Sequence, residues 1–475
     1  MSYCRIISHL VKKNVESKPI LCHEQILDMQ CWDTNDYQEA LKPLSDTGIT
    51  LEAVHHFAHK ISAARFSLQN GLKVILMANQ DAPIFSYQTW FKVGSKHEKV
   101  GKTGLAHLFE HLMFKGTSNH PTGEFDLEME SRGCQTNAAT WVDWTYYTQS
   151  LAQHKDNLEC IIHFESDRMS NLILDEKTFR SELEVVKNER LMSVDNSIGG
   201  CMSEKLYQQA FSEHHYQWPT IGYMDDLEKT ELATLKQFYK NFYAPNNAII
   251  VVVGAIEATQ TLELIWKSYG HLQPQELEPY VPELDPPQTS VRTSLLSKPI
   301  STTQVLIAYP APPQNSPEYS ALELLNNTLC DGESAQLYRK LVIEDRVASD
   351  VSGFLTPFAE AGLFEFAITP MPGINHDDII EKLDAEIRQA CLNITQEEVD
   401  KARNSLELAL LQGFQDNESC AEMFGHFEAN FGDFSMAFKH IDEWKELELD
   451  HIKAVGQKTF QAHKKNIVIA KPSEH

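Results

Sequence analysis

The stretch "GLAHLFEHLMFKG", residues 104–116, decides how the chain is read. Leu105, Leu108, Phe109 and Leu112 recur at the i, i+3, i+4, i+7 spacing of one helical face, so the segment predicts a helix lying against a core. A strand-like segment, "IFSYQTWFKVG" (84–94), precedes it, and "CQTNAATWVDWTYYTQSL" (134–151), rich in Thr, Trp, Tyr and Val, follows. Upstream, "FSLQNGLKVIL" (66–76) reads as a hairpin with an Asn70-Gly71 turn. Residues 154–171 and 175–194 carry helical patterns, and "NNAIIVVVGAI" (246–256) reads as a buried strand. Strands and helices in blocks predict α+β layers.

The same order returns later. "TTQVLIAYPAP" (302–312) corresponds to residues 84–94, and "SALELLNNTLCDG" (320–332) to the opening stretch. With Gly332 set on Gly116, Glu323, Asn326 and Asn327 fall where His107, Glu110 and His111 stand. The expected fold is α+β, with two duplicated domains, each a mainly antiparallel sheet with helices packed on one side. Residues 63–275 make the first domain and 294–475 the second, which lacks the polar set. The linker, 276–293, takes in most of the Pro- and acid-rich "QPQELEPYVPELDPPQTS" (273–290). Residues 1–62, with little periodicity, read as an extension packed on the outside.

Acidic side chains number 67 against 41 basic, a net charge of -26, which disfavours nucleic acid and anionic membranes. No run of about 18 apolar residues occurs, so no membrane span is expected. The 9 cysteines are odd in number and form no CxxC pair, which reads as free thiols in a reducing compartment. With no secretory signal, a cytoplasmic location is expected. An organelle matrix is the alternative, because Arg5, Lys12 and Lys13 flank an apolar face of Ile6, Ile7, Leu10 and Val11. Cys22 and His23 read as incidental.

The opening stretch carries chemistry that a core helix does not need. His107 and His111 stand one turn apart, and Glu110 lies on the same side. Two imidazoles at that spacing can grip one metal ion, and the carboxylate beside them can hold a water. Burying three such groups unpaired would cost several kcal/mol. A catalytic zinc site needs a third protein ligand and leaves a position for water. "FRSELEVVKNERLMS" supplies Glu182 and Glu189, seven residues apart on one helical face, beside Val185 and Val186, both read as inward-facing. Glu184 points away. Glu189 reads as the third ligand and Glu182 as the partner that orients a ligand or the water, with the exchanged assignment left open.

These residues resemble the pitrilysin-type (inverzincin) zinc peptidases. The half-length bacterial members and the catalytic subunit of the mitochondrial processing peptidase are the most similar. The motif HxxEH at His107–His111 is followed by ExxVVxNE at Glu182–Glu189, and by "WPTIGYMDDLEK" and "FYAPNNAIIVVVG". The resemblance implies one zinc per chain, held by His107, His111 and Glu189. Glu110 is then the general base, and Glu182 the additional acidic residue of the family motif. It also implies a peptide substrate held as an added strand, with Asn137 and Ala138 of "TNAATW" contacting its backbone. The implied activity is a zinc endopeptidase acting on peptides or unstructured polypeptides in a closed chamber. Such a chamber needs a second, similar chain: a heterodimer with a non-metal subunit, or a homodimer. Val342 and Ser349 stand where the partner-type Arg and Tyr would be, which favours the heterodimer. The competing reading is a catalytically silent structural or assembly subunit. The intact set His107, Glu110, His111, Glu182 and Glu189 argues against it, and a metal-storage protein would leave Glu110 unexplained.

Overall fold

The computed structural model describes residues 34–57, 61–154, 156–277 and 279–473. The basic N-terminal face and the Cys22–His23 pair lie outside the described residues.

Two mixed sheets organise the chain, with helices on both. The first contains β1 (Thr50–Phe57), β2 (Ile61–Ser67), β3 (Lys73–Ala78), β4 (Ile84–Phe91), β5 (Gln135–Thr140), β6 (Thr145–Ala152) and β7 (Ala248–Gly254). Its order is β1-β2-β3-β7-β4-β6-β5, antiparallel except for β3 beside β7. The second contains β8 (Arg292–Lys298), β9 (Gln304–Ala311), β10 (Ala348–Leu355), β11 (Gly362–Pro370) and β12 (Asn466–Pro472), in the order β10-β11-β9-β12-β8. Here too one pair, β8 with β12, is parallel. Read from the β5 edge, the first sheet repeats the second strand for strand, with β1 and β2 added. β4 and β9 are equivalents, as the sequence pairing of 84–94 with 302–312 expects. The hairpin expected at Asn70-Gly71 is β2–β3, and Gly71 takes a positive φ of 88° there. β1 and the helix Thr34–Leu41, with Tyr37 fully buried, also belong to this first half, inside the stretch read from sequence as an outer extension.

The helices are not confined to one side of each sheet. β7 is buried at every position and β4 at all but its first, so these strands need cover on both faces. One face carries the first half's own helices, among them Leu105–Leu112, Asn157–Asn171 and Ala258–Tyr269. The other is closed by Asn417–Phe431, which comes from the second half and lies across β4 and β7. The exchange is reciprocal, since Ile198–Ala210 of the first half lies across β12, β9 and β8.

Gly425 permits one of these crossings. A Cβ there would meet Cε2 of Trp90 at 2.1 Å. Trp90 is wholly buried and stacks on Tyr146 with centroids 4.3 Å apart, so it has nowhere to move. Gly425→Ala is therefore expected to destabilise the protein by about 2 kcal/mol, the scale of overpacking a close-packed core. Urea unfolding of the two proteins measures it.

Candidate metal and catalytic site

The helix Leu105–Leu112 buries Leu105, Ala106, Leu108, Phe109 and Leu112, which leaves His107, Glu110 and His111 on its remaining face. It starts at Gly104, which has a positive φ of 87° and no side chain to cap the helix. Caps arrive from elsewhere. The Gly104 and Ala106 N–H groups donate to the Glu98 carboxylate at 2.8 Å each, and the Thr103 N–H donates to Asp226 at 3.2 Å. Glu98 is buried, which pushes its carboxyl up to about 8 against those N–H groups.

The helix Glu176–Arg190 packs alongside. Phe179, Glu182, Leu183, Val186 and Arg190 are its buried residues. Val185 is 47% exposed, contrary to the inward reading of both valines, because successive helical residues turn about 100° and only Val186 joins the buried row. Glu184 points outward to Lys187, as expected. Arg190 anchors the end of this helix, donating to Glu204 at 2.9 Å and to the Gly222 carbonyl at 2.6 Å. A Cβ at Gly222 would come within 2.5 Å of Gly104, so this anchor abuts the start of the first helix.

Three predicted ligands come together. The ligating atoms of His107, His111 and Glu189 all lie within 4.8 Å of one another. Glu189 Oε2 is 3.7 Å from His107 Nε2 and 3.5 Å from His111 Nε2. Glu182 stands behind, with Oε2 3.8 Å from His111 Nδ1 and Oε1 2.9 Å from Lys115 Nζ. Of the two assignments left open by the sequence, this arrangement puts Glu189 among the imidazole Nε2 atoms and Glu182 on the far ring edge. Two imidazoles and a carboxylate are a donor set that suits zinc.

The electrostatics follow from burial and crowding. Burial pushes His107 down to about 4, so it is neutral near pH 7. Burial also acts to lower His111, but the nearby Glu189, Glu110 and Glu182 carboxylates outweigh it and hold this imidazole above its usual range. Glu189 is lowered, first by its hydrogen bond with His111. Glu110 is raised by burial, against the hydrogen bond that the Thr140 hydroxyl donates to its Oε2.

Thr140 ends β5, the exposed edge of the first sheet. The β5–β6 register is unbroken, and beyond it the Trp141 N–H donates to the Trp144 carbonyl at 2.8 Å. Alternation then turns the backbone of Asn137 toward Thr148, and that of Thr136, Ala138 and Thr140 outward. Asn137 and Ala138 thus differ. Ala138 offers N–H and C=O to the open edge, on the same strand face as Thr140. The Asn137 side chain shares the face of Thr148, whose hydroxyl contacts Gln88 and Glu418.

Sequence reasoning missed Glu98, Asp226 and Arg190. The signal for the first two was a helix opening on glycine, which must find its caps outside itself. In the second half the equivalent helix, Pro317–Cys330, carries other contacts. Glu323 accepts from Trp444 Nε1 at 3.0 Å, and Asn327 donates to Asp331 at 2.7 Å. Val342 is part of the apolar packing there, and the Ser349 hydroxyl donates to the Thr369 carbonyl. The six described cysteines Cys134, Cys160, Cys201, Cys330, Cys391 and Cys420 are free. Among the described residues no helix is long and apolar enough to cross a membrane.

A duplicated α+β fold with an HxxEH helix at a sheet edge defines a class of metallopeptidase-like proteins. The family model "Insulinase (Peptidase family M16)" matches residues 73–223, and "Peptidase M16 inactive domain" matches 230–406. The chain belongs to this family. It is 28% identical over 413 residues to the zinc protease PqqE of Helicobacter pylori, covering 86% of this chain and 92% of that one. The crystal structure of a protease from Helicobacter pylori superposes with a TM-score of 0.81 at 27% identity, over 86% of this chain and 99% of the other. The periplasmic protease PqqL of Escherichia coli has the same fold, with a TM-score of 0.71 at 19% identity, over 88% of this chain but 48% of its own.

The carboxylates around His111 lead to a test on the metal-free protein. Glu182→Gln removes one of the charges that hold the imidazolium, so the His111 pKa is expected to fall while His107 stays neutral near pH 7. Long-range 1H–15N NMR of histidine-labelled protein across pH 4–9 follows both rings.

Proposed function

We propose that the chain is a zinc-dependent endopeptidase. The observation that carries this reading is the convergence of His107 Nε2, His111 Nε2 and a Glu189 oxygen beside the half-buried Glu110 carboxylate and an open sheet edge. Those three residues would hold the ion. Zinc, when bound, supplies the Lewis acidity that makes water nucleophilic near neutral pH and polarises a scissile carbonyl.

Glu110 is the base. Its Oε2 accepts from Thr140, which leaves Oε1 to take a proton from water and return it to the departing amine. Glu182 orients the His111 ring from its Nδ1 side. The substrate lies along β5 as an added strand, with its backbone on the N–H and C=O of Ala138 and the Asn137 side chain on the opposite strand face. A peptide on that edge passes Thr140, and so Glu110, without folding. This favours unstructured polypeptides over compact domains.

The family fold occurs here as one half. PqqL of Escherichia coli has a chain about twice as long, of which the match covers 48%. A second similar chain is accordingly the proposed partner that completes a chamber, as a non-metal subunit or as another copy.

Metal analysis together with cleavage of an unstructured peptide mixture tests this reading. The wild type is expected to hold one zinc per chain and to cleave. Glu189→Gln should lose the zinc, whereas Glu110→Gln should keep it and lose at least 100-fold in rate. A wild type without zinc, prepared without chelators, contradicts the reading and returns the chain to the silent-subunit alternative. Zinc without cleavage places the missing element in the partner chain.

The acid side of the rate profile gives a second test. Glu110 must be deprotonated to act, so activity falls as pH drops through its pKa. The Thr140 hydroxyl favours the charged form, so Thr140→Val should move that limb of the kcat/KM–pH profile to higher pH. An unmoved limb would separate Thr140 from the base.

A further inference from the structure

One short turn touches the start of the helix that carries His107, the tip of the β5–β6 hairpin and the second half. Ser95–His97 is a single turn of 3-10 helix, with Glu98 directly after it. Its backbone grips the tip of the β5–β6 hairpin: Ser95 N–H donates to the Trp141 carbonyl at 3.1 Å and Lys96 N–H to the Val142 carbonyl at 3.0 Å. The approach is close enough that a Cβ on the preceding Gly94 would lie 2.4 Å from the Trp141 oxygen. The Lys96 ammonium is buried between Asp143 of the hairpin tip, at 2.8 Å, and Glu360 of the second half, at 2.7 Å. Glu360 also meets His214 Nε2 at 2.9 Å. Glu98, 2% exposed, reaches the start of the helix that carries His107.

No side chain at position 104 can supply a local cap, because Gly104 takes a φ of 87° and a Cβ there would lie 2.6 Å from the Ile221 carbonyl oxygen. A carboxylate held in a separate turn adds something that a local cap cannot, because its two oxygens fix both the height and the rotation of the helix relative to that turn. The same turn fixes the substrate edge. We propose that Glu98 is a positioning residue, setting the metal-binding helix against the substrate strand, and that the Lys96–Glu360 pair ties this setting to the second half. The inference rests on the peptidase reading.

Zinc dissociation constants by chelator competition test it, on full-length wild type, Glu98→Gln, Glu360→Gln and the double variant. Melting curves and steady-state kinetics accompany them. Glutamine keeps one acceptor but sets an amide N–H against a backbone N–H. Glu98→Gln is expected to raise the zinc Kd about tenfold, the usual loss when support behind a ligand is altered, and to lower kcat with KM little changed. Glu360→Gln should raise the Kd by a smaller factor. The double variant should bind no more weakly than Glu98→Gln alone, since both act through one turn. A folded Glu98→Gln with wild-type Kd and kcat overturns the proposal even if its Tm drops, for Glu98 is then a cap only. If that variant does not fold, wild-type Kd and kcat in Glu360→Gln overturn the link to the second half. A wild type that binds no zinc is a different failure, that of the peptidase reading itself.

Discussion

Buried polar groups must be paired, and the first half is arranged around that requirement at one helix. Leu105–Leu112 needs its apolar side against the core, yet it carries two imidazoles and a carboxylate on the other. Their partners come from two other elements. Glu189 and Glu182 come from the neighbouring helix, and Thr140 from the sheet edge. The helix itself has no capping side chain and borrows Glu98 and Asp226. The site exists because five separate segments converge on eight residues.

The two halves have one topology and different chemistry. The same strand order builds both sheets, and in each half the helix after the equivalent strand packs on a second helix. In the second half those positions hold Glu323 and Asn327, engaged with Trp444 and Asp331, in place of convergent ligands. What the second half gives the first is cover and anchorage. Its helix Asn417–Phe431 closes the far face of the first sheet, and Glu428 pairs with Arg65 at 2.9 Å. Tyr146 and Trp144 reach across to Glu422 and His426. A sheet whose central strands are buried on both faces is thereby covered on each side.

Much of this was legible in the chain. The spacing of His107, Glu110 and His111 marked one helix face, and Glu182 and Glu189 marked another. The duplication showed in the order of elements. What sequence could not give was anything that depends on distant pairing. Whether Glu189 or Glu182 faces the imidazole Nε2 atoms turns on how two helices roll against each other. Reading both valines as inward failed because a helix offers one buried row, and Val186 occupies it. The helices on the far faces belong to the opposite half, and no local periodicity reports that exchange. The Lys96 pairing is of the same kind, because its partner Glu360 lies 264 residues away.

The central claim is that this helix and its neighbour form a zinc site. Anomalous diffraction at the zinc edge, on crystals of the protein as purified, tests it most directly. The account predicts a single strong peak bounded by His107 Nε2, His111 Nε2 and the Glu189 carboxylate. A crystal with zinc at other residues and none at these three would contradict it.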